Sequence, residues 1–357
     1  MNFAFLTSYP LDVRIGSGVI RTLVGWQLGL QKLKQHSTLI VSQIKATTLL
    51  SLTNQRLQFN RCITKMDFGL YDYFIGSDFD GYRLDVGKLP PYFVFNGALL
   101  ADIARFEEGR TAKILKHLAR REQQNMQKAI AVFVPSLFSA DKVSSLYHIP
   151  ENKIHLIPLG NDYTEWQQLL SQAGIMTNSK KIILSVARQY PRKGIADLLK
   201  AFTLIRKKSD LYLLWIVGGG PQLEANRRLA EKLGIASSVR FYGDVTDRQN
   251  LARLYKNSDL FCLPSYHETF GLVFLEAMAS GLPIVAYRTT AVPEVVSEDT
   301  GILVTAAAIH QLAEALQFLL DNPSQSQKLA ATGKIKAEKM TWQASANQLI
   351  YTLLNKI

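Results

Sequence analysis

The chain is 357 residues long, more than one typical domain, so two domains of roughly 150 to 200 residues each are expected. Apolar residues make up 47% and charged residues 20% with no low-complexity tract, which excludes a disordered chain, and no run reaches the ~18 apolar residues of a membrane span. A net charge of +12 attracts something anionic, whether a nucleotide diphosphate, an acidic membrane surface or nucleic acid, and does not choose among them.

The opening MNFAFLTSYP has no basic residue before its apolar run, and Cys62 and Cys262 stand far apart without a ligand cluster. Both features predict a cytoplasmic protein in a reducing compartment with no structural zinc. Short β-branched or aromatic runs then alternate with helix-length segments, the pattern of parallel sheets covered by helices. In the first half the predicted strands are 2–8, 38–43, 71–76, 91–96, 131–136 and 153–158. Gly16-Ser17-Gly18 precedes the first helix and suits either a close backbone approach by phosphate or a tight turn. Asp78-Phe79-Asp80 follows the third strand, at a spacing that suits Mn²⁺ or Mg²⁺ or a turn shaped at Gly81. Asn96 ends the fourth strand, with Arg105 and Glu107 shortly after it. Around 101–128 runs a helix rich in Arg and Lys, which reads as a solvated face or as a docking face for an anionic membrane.

Residues 161–180 hold Gly, Asn, Asp and Ser without a long apolar run and are predicted to link domain 1–160 to domain 181–340. The second domain shows predicted strands 181–187, 211–217, 239–242, 259–263 and 283–287, and helices alone after 305. The last segment, 341–357, is an amphipathic helix expected to pack back on the first domain. Ligands of such open sheets lie beyond the carboxyl ends of the strands. There, 264–283 runs PSYHETFGLVFLEAMASGLP: a turn at Gly271 opens an apolar helix in which Glu276 is the only charge. A buried carboxylate requires a strong partner, either an internal cation or a ligand diol such as ribose. The free N–H groups of Phe270, Gly271 and Leu272 at the helix start suit phosphate oxygens, with Glu268 in the turn just before. Arg188 and Lys193 stand in the loop after strand 181–187, where two cations suit a diphosphate or form a solvated basic turn. Gly218-Gly219-Gly220 follows strand 211–217 as a second place for close approach.

Together Glu268 and Glu276, seven residues apart, the Gly271 turn, Arg188, Lys193-Gly194, VGGGP at 217–221 and FYGDV at 241–245 resemble a GT-B glycosyltransferase of family 4, the glycosyl transferases group 1. The likeness is specific over 181–304. It implies an α/β fold of two Rossmann-like doubly wound domains facing a cleft, with a C-terminal helical segment. It also implies a retaining transfer from a nucleotide-diphosphate sugar such as a UDP or GDP sugar, with no cofactor and no metal. Residue by residue, Arg188 and Lys193 would bind the diphosphate with Phe270, Gly271, Leu272 and Gly16. Glu268 would contact the transferred sugar, Glu276 the ribose, and the segments around Gly218 and Gly243 would lie near the base. Many members carry a histidine after a central first-domain strand; none of the six histidines falls in 92–110 here, so Asn96, Arg105 and Glu107 stand in as acceptor-side candidates. The acceptor is expected to be a sugar, a lipid or a small molecule, with peripheral contact to the inner face of the membrane and no nucleic-acid partner. The rivals are a metal-dependent GT-A transferase using Asp78 and Asp80, another enzyme on this scaffold such as an epimerase or phosphorylase, and a non-catalytic basic protein binding nucleic acid or another anion.

Overall fold

A computed structural model of the protein describes residues 1–9, 17–42, 49–176, 179–207 and 209–355. The chain divides into two compact units, Met1–Gly160 with Thr341–Ile357, and Asn161–Met340. Each unit holds a six-stranded sheet in which neighbouring strands run parallel.

The first sheet contains β1 (Asn2–Thr7), β2 (His36–Val41), β3 (Tyr73–Ser77), β4 (Tyr92–Phe95), β5 (Val132–Val134) and β6 (Ile154–Leu156), in the order β2-β1-β3-β4-β5-β6. Phe3, Phe5, Phe74, Ile75, Phe93, Val94 and Phe133 are all buried, as strands covered on both faces require. The edge strands β2 and β6 are only partly buried. Helix Ser17–Lys32 turns Leu23, Trp26 and Leu30 inward. The Trp26 indole meets Phe95 edge-on at 4.9 Å and donates through Nε1 to Ser345 Oγ at 2.8 Å. Ser345 belongs to the terminal helix Trp342–Asn355, which therefore packs in the first unit although the whole second unit precedes it in sequence. Gly29 makes this possible, since a Cβ there would lie 2.2 Å from the Trp342 carbonyl oxygen.

The second sheet contains β7 (Lys181–Val186), β8 (Tyr212–Val217), β9 (Val239–Gly243), β10 (Leu260–Leu263), β11 (Ile284–Tyr287) and β12 (Gly301–Val304), in the order β12-β11-β10-β7-β8-β9. Strand β12 is absent from the sequence prediction. It is four residues long and pairs only with β11, so it carries no alternation that periodicity could detect.

The segment 161–180 is not a bare linker. Asp162 caps helix Tyr163–Gln172 by accepting from Glu165 N at 3.5 Å, and Trp166 is buried at 3% exposure. Trp166 Nε1 donates to Ser280 Oγ at 2.9 Å, Gln167 Nε2 to the Ala279 carbonyl at 2.7 Å, and Lys256 Nζ to the Leu170 carbonyl at 2.8 Å. These bonds make the helix a structural part of the second unit. In both sheets the strand order reverses beside the first strand, between β1 and β3 and between β7 and β10. Carboxyl ends of strands at such reversals are where open α/β sheets receive ligands.

Candidate functional site

In the second unit the loops after β7 and β10 lie against each other. Gly194 has φ +66, a left-handed conformation, and a Cβ there would meet the Pro264 carbonyl oxygen at 2.0 Å. Tyr266 N donates to the Arg192 carbonyl at 2.7 Å across the same seam. This approach brings Lys193 Nζ within 2.6 Å of Glu268 Oε1, with side chains 15% and 10% exposed. Ser265 Oγ donates to the same carboxylate oxygen at 2.8 Å, and Glu268 N donates to Thr290 Oγ1 at 3.0 Å. Burial pushes the Glu268 carboxyl up, but Lys193 and the Ser265 hydroxyl outweigh it and hold the group below the usual carboxylate range. Burial lowers the Lys193 ammonium from its ordinary value, with Glu268 opposing the shift. The two residues expected to bind diphosphate and sugar separately are thus one ion pair at the strand-order reversal.

Arg188 stands half-buried on the same loop, its guanidinium 5.6 Å from the Tyr190 ring centre. Its Nε and Nη1 are buried and have no hydrogen-bond partner among the described residues. A buried donor left unpaired costs about 1–3 kcal/mol and more when charged, so an anion is the group that completes it.

Helix Leu272–Ala279 starts at Gly271, where φ is +90, and buries Phe274, Leu275, Ala277 and Met278. Phe270 is buried and Leu272 half-buried at its start. The first N–H groups of a helix find no partner within it. Glu276 is 8% exposed, and the Tyr255 hydroxyl donates to its Oε2 at 3.1 Å. The ends of β7, β8 and β9 are stitched together nearby: Gly218 N donates to the Gly243 carbonyl at 2.7 Å, Gln189 Nε2 to the Gly218 carbonyl at 2.7 Å, and Gly219 N to Asp244 Oδ1 at 2.7 Å. The structure therefore brings Gly218 and Gly243 into direct contact. Sequence inspection missed Ser265, Thr290, Tyr255 and Gln189. Ser265 lies in the same PSYHE loop and Gln189 beside Arg188, so both were within its reach; Thr290 and Tyr255 come from distant elements and carry no local signal.

The candidates of the first unit lie in varied surroundings. Gly16 lies outside the described residues. Asn96 is fully buried and donates through Nδ2 to Glu122 Oε1 at 3.3 Å, so it faces the interior of its own unit. Arg105 pairs with Asp102 at 3.2 Å while its side chain remains 70% exposed, and Glu107 is half-buried on the turn that follows. Asp78 and Asp80 lie in the turn at Gly81, but their side chains bond residues outside it. Asp80 accepts from Ser8 N at 2.6 Å and Asn60 Nδ2 at 2.8 Å, with Arg56 at 3.7 Å, whereas Asp78 Oδ1 accepts from Gly97 N at 3.0 Å and Ala98 N at 3.1 Å. The Gly81 amide is held instead by Asn60 Oδ1 at 2.8 Å. Among the described residues no group of three or more metal-ligating side chains converges. Burial pushes the Asp78 carboxyl up to about 6, with Arg56 opposing. Burial, reinforced by Asp78, pushes Glu122 up to about 8, while the Tyr147 hydroxyl and Leu100 N donate to it. On helix Gly109–Lys128 the cations Arg110, Lys113, Lys116 and Arg120 face solvent, opposite buried Leu118, Asn125 and Met126. No helix of the described residues is long and apolar enough to cross a membrane.

Residues 168–336, almost all of the second unit, match the family model described as glycosyl transferases group 1. The MMP alpha-(1->4)-mannosyltransferase of Mycolicibacterium hassiacum is 34% identical over 233 residues, covering 63% of this chain and 55% of that protein. The GDP-mannose-dependent alpha-(1-6)-phosphatidylinositol monomannoside mannosyltransferase of Mycobacterium tuberculosis is 34% identical over 160 residues, covering 43% and 41%. The chain thus spans about half the length of the curated relatives it matches. Among solved structures, sucrose-phosphate synthase from Thermosynechococcus elongatus superposes with a TM-score of 0.81 over 99% of this chain and 98% of that one, at 21% identity, which shows a shared GT-B fold.

Proposed function

We propose that this chain, which belongs to the glycosyl transferases group 1 through residues 168–336, is a retaining glycosyltransferase that moves a hexose from a nucleoside-diphosphate donor to a sugar, lipid or small-molecule acceptor. The observation that carries this reading is the Lys193–Glu268 pair at the strand-order reversal of the matched unit, on the same loop as Arg188, whose Nε and Nη1 have no partner among the described residues. Arg188 and two of the three Lys193 donors bind the diphosphate, while Glu268 keeps the ammonium in place and turns its remaining oxygen to the transferred sugar. Glu276 accepts from the ribose hydroxyls, and the Gly218–Gly243 seam floors the base. As the glycosidic bond breaks, negative charge grows on the leaving phosphate, and preorganised cations stabilise it more than they stabilise the bound donor. The phosphate itself takes the acceptor proton, so no separate protein base and no resident metal are required.

The names of the relatives include mannosyl transfer and, in one case, a phosphatidylinositol monomannoside, which supports a hexose donor and keeps a lipid among the acceptor classes. The cationic face of Gly109–Lys128 supports peripheral contact with an anionic membrane, each cation near such a surface being worth about 1 kcal/mol. A thermal-shift screen of nucleoside diphosphates and their sugars tests the donor, since a ligand at 100 times its Kd stabilises by about 2.7 kcal/mol. Proton NMR of the product tests the stereochemistry: we expect retention, and an inverted anomer or a chain that no nucleotide stabilises would refute the reading.

A further inference from the structure

Glu276 is held from behind by a chain of buried aromatic side chains. Tyr255, on helix Arg248–Lys256, lies 21 residues upstream and donates its hydroxyl to Glu276 Oε2 at 3.1 Å. Its ring is fully buried, stacked on Phe261 of β10 at 5.9 Å and met edge-on by the Trp166 indole at 5.5 Å. The same indole bonds Ser280 Oγ at 2.9 Å, and Ser280 Oγ in turn donates to the Glu276 main-chain carbonyl at 2.7 Å. Trp166 therefore touches both routes to Glu276, one ending on its carboxylate and one on its backbone.

A free glutamate has three side-chain torsions to lose on meeting a ligand, and fixing them beforehand lowers the entropic cost of binding. Wedged among apolar side chains, the Glu276 carboxylate turns only where its hydrogen bonds permit. We propose that Tyr255 is a positioning residue: its hydroxyl pins one carboxylate oxygen of Glu276 and so sets the orientation in which the group receives the vicinal hydroxyls of a nucleotide ribose. This rests on the reading of Glu276 as the ribose ligand. Tyr255 touches no ligand itself. Its effect falls on the ribose hydroxyls alone, not on the phosphates or the base.

Tyr255→Phe keeps the ring stack and removes only the O–H, so the variant isolates the hydrogen bond. Calorimetry with UDP, GDP and ADP first identifies which diphosphate the unaltered protein binds. The same titration with its 2′-deoxy and 3′-deoxy counterparts then measures how strongly the ribose hydroxyls are recognised. We expect the unaltered protein to prefer the ribonucleotide by about tenfold or more, and Tyr255→Phe to shrink that preference by about threefold to tenfold, the scale of one hydrogen bond. Affinity for the deoxy counterpart should stay unchanged, and in kinetics the donor KM should rise with little change in kcat. Because both ligands are compared within one protein, the ratio is insensitive to any loss of folded fraction. An equal loss of affinity for ribo- and deoxyribonucleotide would make Tyr255 a packing residue and overturn the proposal. So would a preference that survives the substitution intact. If the unaltered protein binds no nucleoside diphosphate at all, the transferase reading falls and this one falls with it. If it binds ribo and deoxy forms equally, only the ribose assignment and its positioning residue fail.

Discussion

The two sheets reverse strand order at equivalent places, and the described residues around those places differ. At β7 and β10 the loops bring Lys193 to Glu268 at 2.6 Å with side chains still 15% and 10% exposed, and Arg188 keeps two buried nitrogens unpartnered among the described residues. Beside β1 and β3 the described polar groups bond one another: Asp80 takes Ser8 N, Asn60 Nδ2 and Arg56, with the Arg56 and Asp80 side chains 5% and 0% exposed, while Arg56 Nη2 and Asp78 Oδ2 have no hydrogen-bond partner among the described residues. Arg56 is further sandwiched at 3.7 Å from the Tyr9 ring centre and 4.1 Å from that of Phe79. Shared topology therefore does not decide where a ligand sits. The two reversals differ in which charges meet: a lysine and a glutamate at a partly open loop in the second unit, an arginine and an aspartate closed in among aromatic rings in the first.

If that contrast is right, substitutions in the second unit should change kinetics and those in the first should change stability. The largest effect should come from Lys193→Ala, where we expect kcat to fall about 10²- to 10³-fold, more than donor affinity falls, because the ammonium matters most as the phosphate leaves. Steady-state rates beside donor titration would show it; equal losses in both would mean Lys193 binds donor and transition state alike. Asp80→Asn should act in the other currency. It replaces an acceptor of two N–H donors and removes the charge beside buried Arg56, so we expect a loss on the order of 2–3 kcal/mol in denaturant unfolding. The turnover of the folded fraction should be unchanged, and excess EDTA should leave full activity. Activity abolished by EDTA and restored by Mn²⁺ would instead make Asp78 and Asp80 a metal site and erase the contrast.

Glu276→Ala comes next, with about 2 kcal/mol lost from nucleoside-diphosphate binding as charge-assisted bonds disappear. Calorimetry on the folded variant reads this directly, and unchanged affinity would leave Glu276 a buried residue satisfied by Tyr255. The last effect concerns pH and belongs to the first unit. Glu122 is raised from 4.5 to about 8 in the folded protein, so across that window the folded state holds more protons than the unfolded one. Stability contributed by this group is therefore full below pH 4.5 and falls as pH rises towards 8. Glu122→Gln removes the titration, and melting curves across this range should fall less steeply for the variant. A parallel slope would show that Glu122 is not the group that titrates.

Much of the site was legible in the chain itself. Apolar runs of the right length revealed eleven of the twelve strands among the described residues, because the inner strands of a sheet covered on both faces are apolar throughout. The Gly271 turn, the isolated Glu276 and the strand-end cations Arg188 and Lys193 were visible because each breaks its local pattern. The helix at 163–172 was also within reach through Asp162 and Glu165, three residues apart before Trp166 and Leu169, a capping signal that the surrounding polar residues obscured. Strand β12 was not, being a four-residue edge strand that only its pairing with β11 makes regular.

Sequence alone thus determined the two parallel sheets, the strand ends that carry charge, and the chemical types placed there, because periodicity and loop position are local properties of the chain. Tertiary structure alone decided which charges met. Lys193 joins Glu268 across 75 residues, Glu276 receives Tyr255 across 21, and Asp80 receives Ser8 across 72, and no local spacing encodes such encounters. The same is true of the terminal helix, whose docking depends on Gly25 and Gly29, over 300 residues earlier, where a missing Cβ leaves room for Trp342. Whether a charged residue waits for a ligand or is already satisfied depends on what lies within about 3 Å of it, and that distance is set only when the loops of a folded sheet come together.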